Sequence, residues 1–257
     1  MREVVQRQIS GKTSFGPEDE ERPEFPKATL VNTLFGFHDT LGPLNECIEA
    51  VLPRLNEEQR HELRTALMNG PQFLNTASEL SLAYSLIRAG WNVELYRAIP
   101  GGGDVDVFAS VPHEARFIEV TNVQSEELEA CYGGFGPLPT LDRVRQRRNS
   151  SHKPPTRTDA ERLVHNVKRK VDTKFGKALR EGWEGPSWIA LDYGKAHPIS
   201  MAGAFYSMLG HQDWAKPLAE SVFSDVPTLH GVLYYESSIG IAEAQNLQWY
   251  RNLRLYA

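Results

Sequence analysis

The segment from Asn75 to Asn122 constrains the fold of this 257-residue chain more than any other part. It predicts a helix ending at Gly90, then a strand, a glycine-rich turn, a second strand, a turn and a third strand. The prediction follows from apolar residues that first recur at helical spacing and then alternate. A helix followed by three short strands is typical of an α/β fold whose sheet begins with an antiparallel meander.

Acidic residues recur in these elements. Glu79 lies on or beside the apolar stripe of the helix, Asp104 and Asp106 share one face of the second strand, and Glu119 lies in the third strand. The meander can bring Asp106 and Glu119 side by side. Carboxylates from separate elements repel one another and are costly to desolvate unless a cation or a shared proton compensates them. A divalent metal is the usual compensator.

Each of these acids also has a purely structural interpretation. Glu79 could be a rim residue paired with Arg88 or Arg97, and the two aspartates could cap a turn. Glu119 could form a salt bridge with Arg116 or with a lysine of the basic helix that follows.

Charge is unevenly distributed along the chain. The net charge is −5, yet the stretch from Arg143 to Arg180 contains 13 Lys or Arg and only 3 acidic residues. Such a block predicts a polyanion-binding surface, with a solvated basic loop and helix face as the alternative. The residues expected to hold a phosphate backbone are Arg143, Arg145, Arg147, Arg148, Lys168 and Arg169.

The chain divides into three parts. Residues 1–27 are polar and acidic and are expected to form a flexible N-terminal arm. Residues 28–70 are expected to form a helical extension, interrupted at Pro53 and closed by Gly70. Residues 71–257 are expected to form the core, including a basic insertion at about residues 131–158. A helix capped by Thr158 and ended by Gly182 should follow, and the apolar segments 186–194 and 230–237 should be strands of one mixed sheet.

With these elements in order, residues 79–192 resemble the PD-(D/E)XK, or restriction endonuclease-like, nuclease superfamily. The match is carried by Glu79 on the helix, by the GGGDVDV strand and by the triplet Glu119-Val120-Thr121 on the next strand. The resemblance implies a restriction endonuclease-like core: a central mixed sheet flanked by helices, here with an N-terminal helical extension. It also implies Mg²⁺ or Mn²⁺ bound by oxygen ligands, for which the matching positions are Asp106, with Asp104 in reserve, Glu119 and the Val120 carbonyl.

One position departs from the family pattern. Where the family's triplet has a lysine, this chain has Thr121, whose hydroxyl cannot act as a cation. Lys170 and Lys174 lie beside the buried stripe of the following helix and could supply the charge, as happens in some members of the superfamily. The alternative is a degenerate site that binds without cutting.

The resemblance thus implies a metal-dependent nuclease acting on nucleic acid, expected to be DNA. Its catalytic set would be Glu79, Asp106, Glu119, Lys170 and Lys174. The alternatives are a catalytically degenerate nucleic-acid-binding module on the same fold and a regulatory protein-interaction domain. Double-strand cutting would require two sites, which makes a homodimer an expected arrangement.

The sequence also bears on location. No apolar run approaches the roughly 18 residues that span a bilayer, and the N-terminus lacks the apolar core of a signal peptide. We therefore expect a cytoplasmic protein with no membrane partner. In that compartment the two cysteines, Cys47 and Cys131, are expected to be unlinked thiols.

Overall fold

The computed structural model describes residues 41–68, 70–101, 103–122, 157–193, 215–238 and 241–256. The predicted N-terminal arm lies outside the described residues, as do the first part of the helical extension and nearly all of the basic insertion. None of the described helices combines the length and the apolarity needed to cross a lipid bilayer.

Helices and strands are interleaved along the described residues. The helices are α1 (Leu41–Val51), α2 (Glu57–Met68), α3 (Gly70–Arg88), α4 (Arg157–Lys174), α5 (Gly176–Arg180) and α6 (Ala215–Asp225), with 3₁₀ turns at Leu52–Arg54 and Leu253–Leu255. The strands are β1 (Asn92–Ala98), β2 (Asp104–Val111), β3 (Glu114–Asn122), β4 (Ser187–Asp192), β5 (Gly231–Ser238) and β6 (Ile241–Arg251).

The described strands form one six-stranded sheet in the order β1-β2-β3-β4-β5-β6. β1, β2 and β3 form the predicted antiparallel meander, β4 and β5 continue parallel to β3, and β6 returns antiparallel to β5. Parallel neighbours need crossover connections, and α4 and α6 lie in the two crossovers. The fold is therefore α/β with a central mixed sheet, as predicted.

Helices pack on both faces of this sheet. One buried cluster joins side chains of α1, α2 and α3 to the sheet, and a second joins side chains of α4 and α6 to the opposite face. β4 is buried along its whole length because both of its faces are covered. This explains why its sequence, SWIALD, is nearly continuous in apolar residues instead of alternating.

Of four local predictions, one is confirmed and three need correction. Pro53 does interrupt the first helical region, since it lies in the 3₁₀ turn between α1 and α2. Gly70 does not close that region, because α3 begins at this residue. α4 begins at Arg157, so Thr158 lies inside its first turn. The helix predicted to reach Gly182 breaks after Lys174 and resumes as α5.

Candidate active site

β2 and β3 separate where the acidic residues lie. Backbone pairing between the two strands ends at Val107 and Ile118, although the next positions would set Asp106 opposite Glu119. The Asp106 side chain bonds across to β3 instead, where its Oδ2 accepts a hydrogen bond of 2.7 Å from the backbone N–H of Val120. A carboxylate thus replaces a ladder bond and is held beside the strand that carries Glu119.

Glu119 is a buried carboxylate that faces α4. Its side chain is 1 % exposed, and its Oε1 lies 3.1 Å from Nζ of Lys170 and 3.5 Å from Nζ of Lys174. Lys170 also donates a hydrogen bond to the backbone carbonyl of Val120. The two lysines are four residues apart, so they project from the same face of the helix. The structure therefore brings together the two lysines and the acid that the sequence analysis named.

One of the two carboxylate oxygens of Glu119 has no hydrogen-bond partner in the described part of the chain. Among the described residues, Glu119 Oε2 and Thr121 Oγ1 are buried and have no hydrogen-bond partner. Buried polar atoms are nearly always paired, so such atoms indicate a place for water, an ion or a ligand. Burial first, and then the charge of Asp106, raise the pKa of Glu119 to about 7, although Lys170 and Lys174 act in the opposite direction.

Glu79 brings a third carboxylate from a separate element, helix α3. Burial, followed by the charges of Asp106 and Glu119, raises its pKa well above the usual range. Asp106 and Glu119 are therefore close enough to Glu79 for their charges to disfavour its ionised form. The three carboxylates come from one helix and two strands, as predicted.

Two further acids lie around these three. Asp104 lies at the start of β2 and Glu62 on α2, and burial, followed by the Asp104 charge, raises the pKa of Glu62. Burial lowers the pKa of Lys174, but the charges of Glu119, Asp106 and Asp104 outweigh it and raise that pKa. The sequence analysis did not identify Glu62, which is one of several acids on the polar face of α2.

The structural alternatives for the acids are partly excluded. Arg88 pairs with Glu243 at 3.4 Å, and Arg97 pairs with its neighbour Glu94 at 3.2 Å. The suggested pairing of either arginine with Glu79 is therefore wrong. Arg116 pairs with Glu114 at 2.7 Å, so Glu119 does not pair with it. The alternative that Glu119 pairs with lysines of the basic helix is correct, because Lys170 and Lys174 both contact it.

The site has the oxygen donors that a hard divalent cation prefers, namely carboxylates and a backbone carbonyl. Within the described part of the chain, however, no three His, Cys, Asp or Glu side chains are already spaced to hold a metal ion. The Lys170 ammonium instead bridges Glu119 Oε1 and the Val120 carbonyl. The residues fit such a cation in their chemistry, and Glu119 Oε2 has no partner among the residues that the structure describes, but the carboxylates would have to draw together around the cation.

A second buried carboxylate, which the sequence analysis also did not identify, lies beside α3. Asp192, at the end of β4, accepts hydrogen bonds on Oδ2 from the hydroxyls of Ser78 and Ser237, and on Oδ1 from the Ser237 N–H at 2.9 Å. The Ser78 hydroxyl also hydrogen-bonds to that of Tyr235, at 2.9 Å. This network ties α3 to β4 and β5 one residue before Glu79.

Only part of the predicted nucleic-acid surface can be located. Lys168, which is partly buried, and Arg169, which is exposed, lie on α4 directly before Lys170. The other four predicted residues lie outside the described ranges: Arg143, Arg145, Arg147 and Arg148.

No protein-family model matches the chain, and no curated protein or solved structure is significantly similar to it. A function must therefore be inferred from the site and its chemistry.

Proposed function

We propose that this protein is a metal-dependent nuclease with a restriction endonuclease-like core, and that it hydrolyses phosphodiester bonds in DNA. The observation that supports this most is the meeting of Asp106, Glu119 and Glu79 at the gap between β2 and β3, with two lysines on Glu119. Acids from three elements beside a cationic helix are costly to maintain unless the site binds something. A cytoplasmic location and a homodimer are further parts of the proposal.

Each residue would have a distinct task. Asp106, Glu119 and the Val120 carbonyl would hold Mg²⁺ or Mn²⁺, with Asp104 as the reserve ligand. The cation would make the attacking water more acidic and would neutralise charge on the phosphate. Glu79 would orient that water, since its carboxyl is coupled to both other acids.

Lys170 would supply the positive charge that Thr121 cannot. Its ammonium is the closer of the two to Glu119 Oε1 and also binds the Val120 carbonyl, whereas Lys174 lies 3.5 Å from the same oxygen. The lysine of the family triplet would thus be replaced by one from helix α4. On binding substrate, the ammonium would move from these two oxygens towards a phosphate oxygen.

The direct test is a cleavage assay with the full-length chain. Supercoiled, linear and single-stranded DNA, and RNA, are incubated with the protein in Mg²⁺ or Mn²⁺ and in EDTA. We expect EDTA-sensitive cleavage of DNA that falls by at least about 10²–10³-fold in Asp106→Asn and Glu119→Gln, because each removes a charge acting on the transition state. Glu243→Gln, on β6 and paired with Arg88, should cleave like the wild type. Cleavage that survives Glu119→Gln would remove the site assignment.

The relocated lysine has its own test. Lys170→Ala should lower the cleavage rate by about 10²-fold, and adding Thr121→Lys to that variant should restore at least part of the loss, because it returns an ammonium to the same strand position. Wild-type cleavage by Lys170→Ala would show that this lysine has no role in the reaction.

A second candidate function is nucleic-acid binding without cleavage. It is favoured by the Lys170 ammonium, which already compensates Glu119, and by the absence, among the described residues, of three donors spaced for a metal. Salt-sensitive DNA binding with no cleavage in either metal would support this function. Absent or salt-insensitive binding would instead favour the protein-interaction domain.

A further inference from the structure

Tyr96, in the middle of β1, has a backbone conformation that its residue type rarely adopts. Its φ is 54°, in the left-handed region, where a bulky side chain is strained. Among the described residues, the other non-glycine with positive φ is Asn246, and asparagine tolerates this region far better. Strained residues of this kind persist where the surroundings require them, often at functional sites.

The conformation changes which face of the sheet β1 presents. Leu95 is buried with the side chains of α1 to α3, whereas the guanidinium of Arg97 stacks 3.9 Å from the ring centroid of Phe108, in the cluster of α4 and α6. Residues two apart on a regular strand share a face. The left-handed residue between them therefore rotates the strand, and the Tyr96 ring packs on the side of α1 to α3.

This position is at the acidic site. The register of β1 on β2 is the same on either side of Tyr96, which leaves it opposite Asp106. Burial, and then the charges of Glu79, Glu62 and the two aspartates of β2, raise the pKa of the phenol. The hydroxyl therefore keeps its proton in an environment of negative charge.

The Tyr96 hydroxyl is buried and has no hydrogen-bond partner among the described residues. Across β2 from Tyr96, the buried Glu119 also has one oxygen, Oε2, without a partner in the described part of the chain. Buried polar atoms are nearly always paired, so each of these atoms, unpaired among the described residues, indicates a place for water, an ion or a ligand. The carboxylates whose charges act on this phenol would repel a bare phosphate and attract a cation.

We propose that Tyr96 is a further binding residue of this site and that its hydroxyl hydrogen-bonds to a hydrated divalent cation held by the carboxylates. A phenol both donates and accepts, so it can donate to a carboxylate while it accepts from water carried by the cation. The inference rests on the proposed cation-dependent function and adds to it a residue that the family pattern does not name.

The test uses the full-length Tyr96→Phe variant, which keeps the ring and removes only the hydroxyl. Urea unfolding in EDTA measures the stability of the cation-free protein, and calorimetric titration with Mn²⁺, without nucleic acid, measures cation affinity. We expect Tyr96→Phe to be at least as stable as the wild type, since it removes an unpaired buried hydroxyl. We expect its Kd for Mn²⁺ to rise by about tenfold, the value of one hydrogen bond. Tyr84→Phe is the matched control, because its exposed hydroxyl makes only a 3.4 Å contact with Glu46.

The outcomes separate this inference from the proposed nuclease function. Unchanged Mn²⁺ affinity, or a clear loss of stability in EDTA, would overturn the role of Tyr96 even if the wild type cuts DNA. A wild type that binds Mn²⁺ more tightly than Tyr96→Phe but cuts nothing would uphold the binding residue and reject the nuclease. A wild type that binds no Mn²⁺ would overturn both.

Discussion

Two buried acids lie on the neighbouring strands β3 and β4, and their surroundings are opposite in kind. Asp192 is 0 % exposed, and both of its oxygens accept hydrogen bonds from the serines at positions 78 and 237. Glu119 is 1 % exposed, yet one oxygen is shared between two lysines and the other is unpaired among the described residues. Both oxygens of Asp192 are thus hydrogen-bonded, whereas one oxygen of Glu119 has no hydrogen-bond partner among the described residues.

The difference separates an acid that holds the fold together from one that we propose takes part in chemistry. A buried carboxylate with all its acceptor positions used stabilises the elements that donate to it. A buried carboxylate with an unpaired oxygen, a raised pKa and acidic neighbours is destabilising by itself, and such groups concentrate at functional sites. Substituting Asp192 should therefore lower the free energy of unfolding, whereas substituting Glu119 by a neutral residue should remove a destabilising charge.

The largest effect on stability is expected from Asp192→Ala. Removing this carboxylate leaves two hydroxyls and one backbone N–H without their acceptor in a dry interior, so we expect a loss of about 3–4 kcal/mol in the free energy of unfolding. Urea denaturation of the full-length chain measures it. Asp192→Asn, which keeps part of the acceptor capacity, should lose less. A loss below about 1 kcal/mol would mean that the network does not hold α3 in place.

The next effect is a pH dependence at Glu119. Its pKa is about 7 in the folded protein, against a usual value of 4.5, so the folded state binds a proton that the unfolded chain has already released. Its contribution to stability is therefore most favourable below pH 4.5 and falls as the pH rises to 7. We expect wild-type stability to fall by about 2–3 kcal/mol relative to Glu119→Gln across this range, in EDTA. Parallel curves for the two proteins would contradict the raised pKa.

Local patterns in the sequence were enough to predict much of this architecture. Alternation specified the meander, and the apolar segment at residues 186–194 contains β4 because a strand covered on both faces needs no polar side. Glu79 could be singled out because it interrupts an apolar helical stripe. Asp106 could be preferred to Asp104 because the body of its strand continues directly from it.

The remaining features depend on contacts between distant segments. Glu62 joins the acidic group only in the folded chain, where the charge of Asp104 acts on it, and Asp192 becomes a network centre only when α3 and β5 bring serines to it. The left-handed Tyr96 contradicts local propensity, so no pattern rule would predict it. The register of β2 on β3 suggested adjacent acids, but the strands separate one pair earlier and Asp106 bonds to the backbone instead.

The smallest expected effects come from one hydroxyl at each acid. Ser78 donates to Asp192 and also contacts the Tyr235 hydroxyl, so Ser78→Ala should lower the free energy of unfolding by about 1–2 kcal/mol. Thr121 is close in chemistry, but its buried hydroxyl has no partner among the described residues. Thr121→Val preserves its shape and removes only this unpaired group.

Thr121→Val should therefore leave stability unchanged or raise it by up to about 1 kcal/mol in EDTA, because no hydrogen bond is lost and the cost of burying the hydroxyl is removed. Urea midpoints for this variant and Ser78→Ala, measured side by side, give the comparison its finest test, since both substitutions delete one buried hydroxyl. Equal losses in the two variants would mean that the Thr121 hydroxyl is as well satisfied as that of Ser78. The proposed difference between the fully hydrogen-bonded site of Asp192 and the partly unpaired site of Glu119 would then not hold for these two hydroxyls.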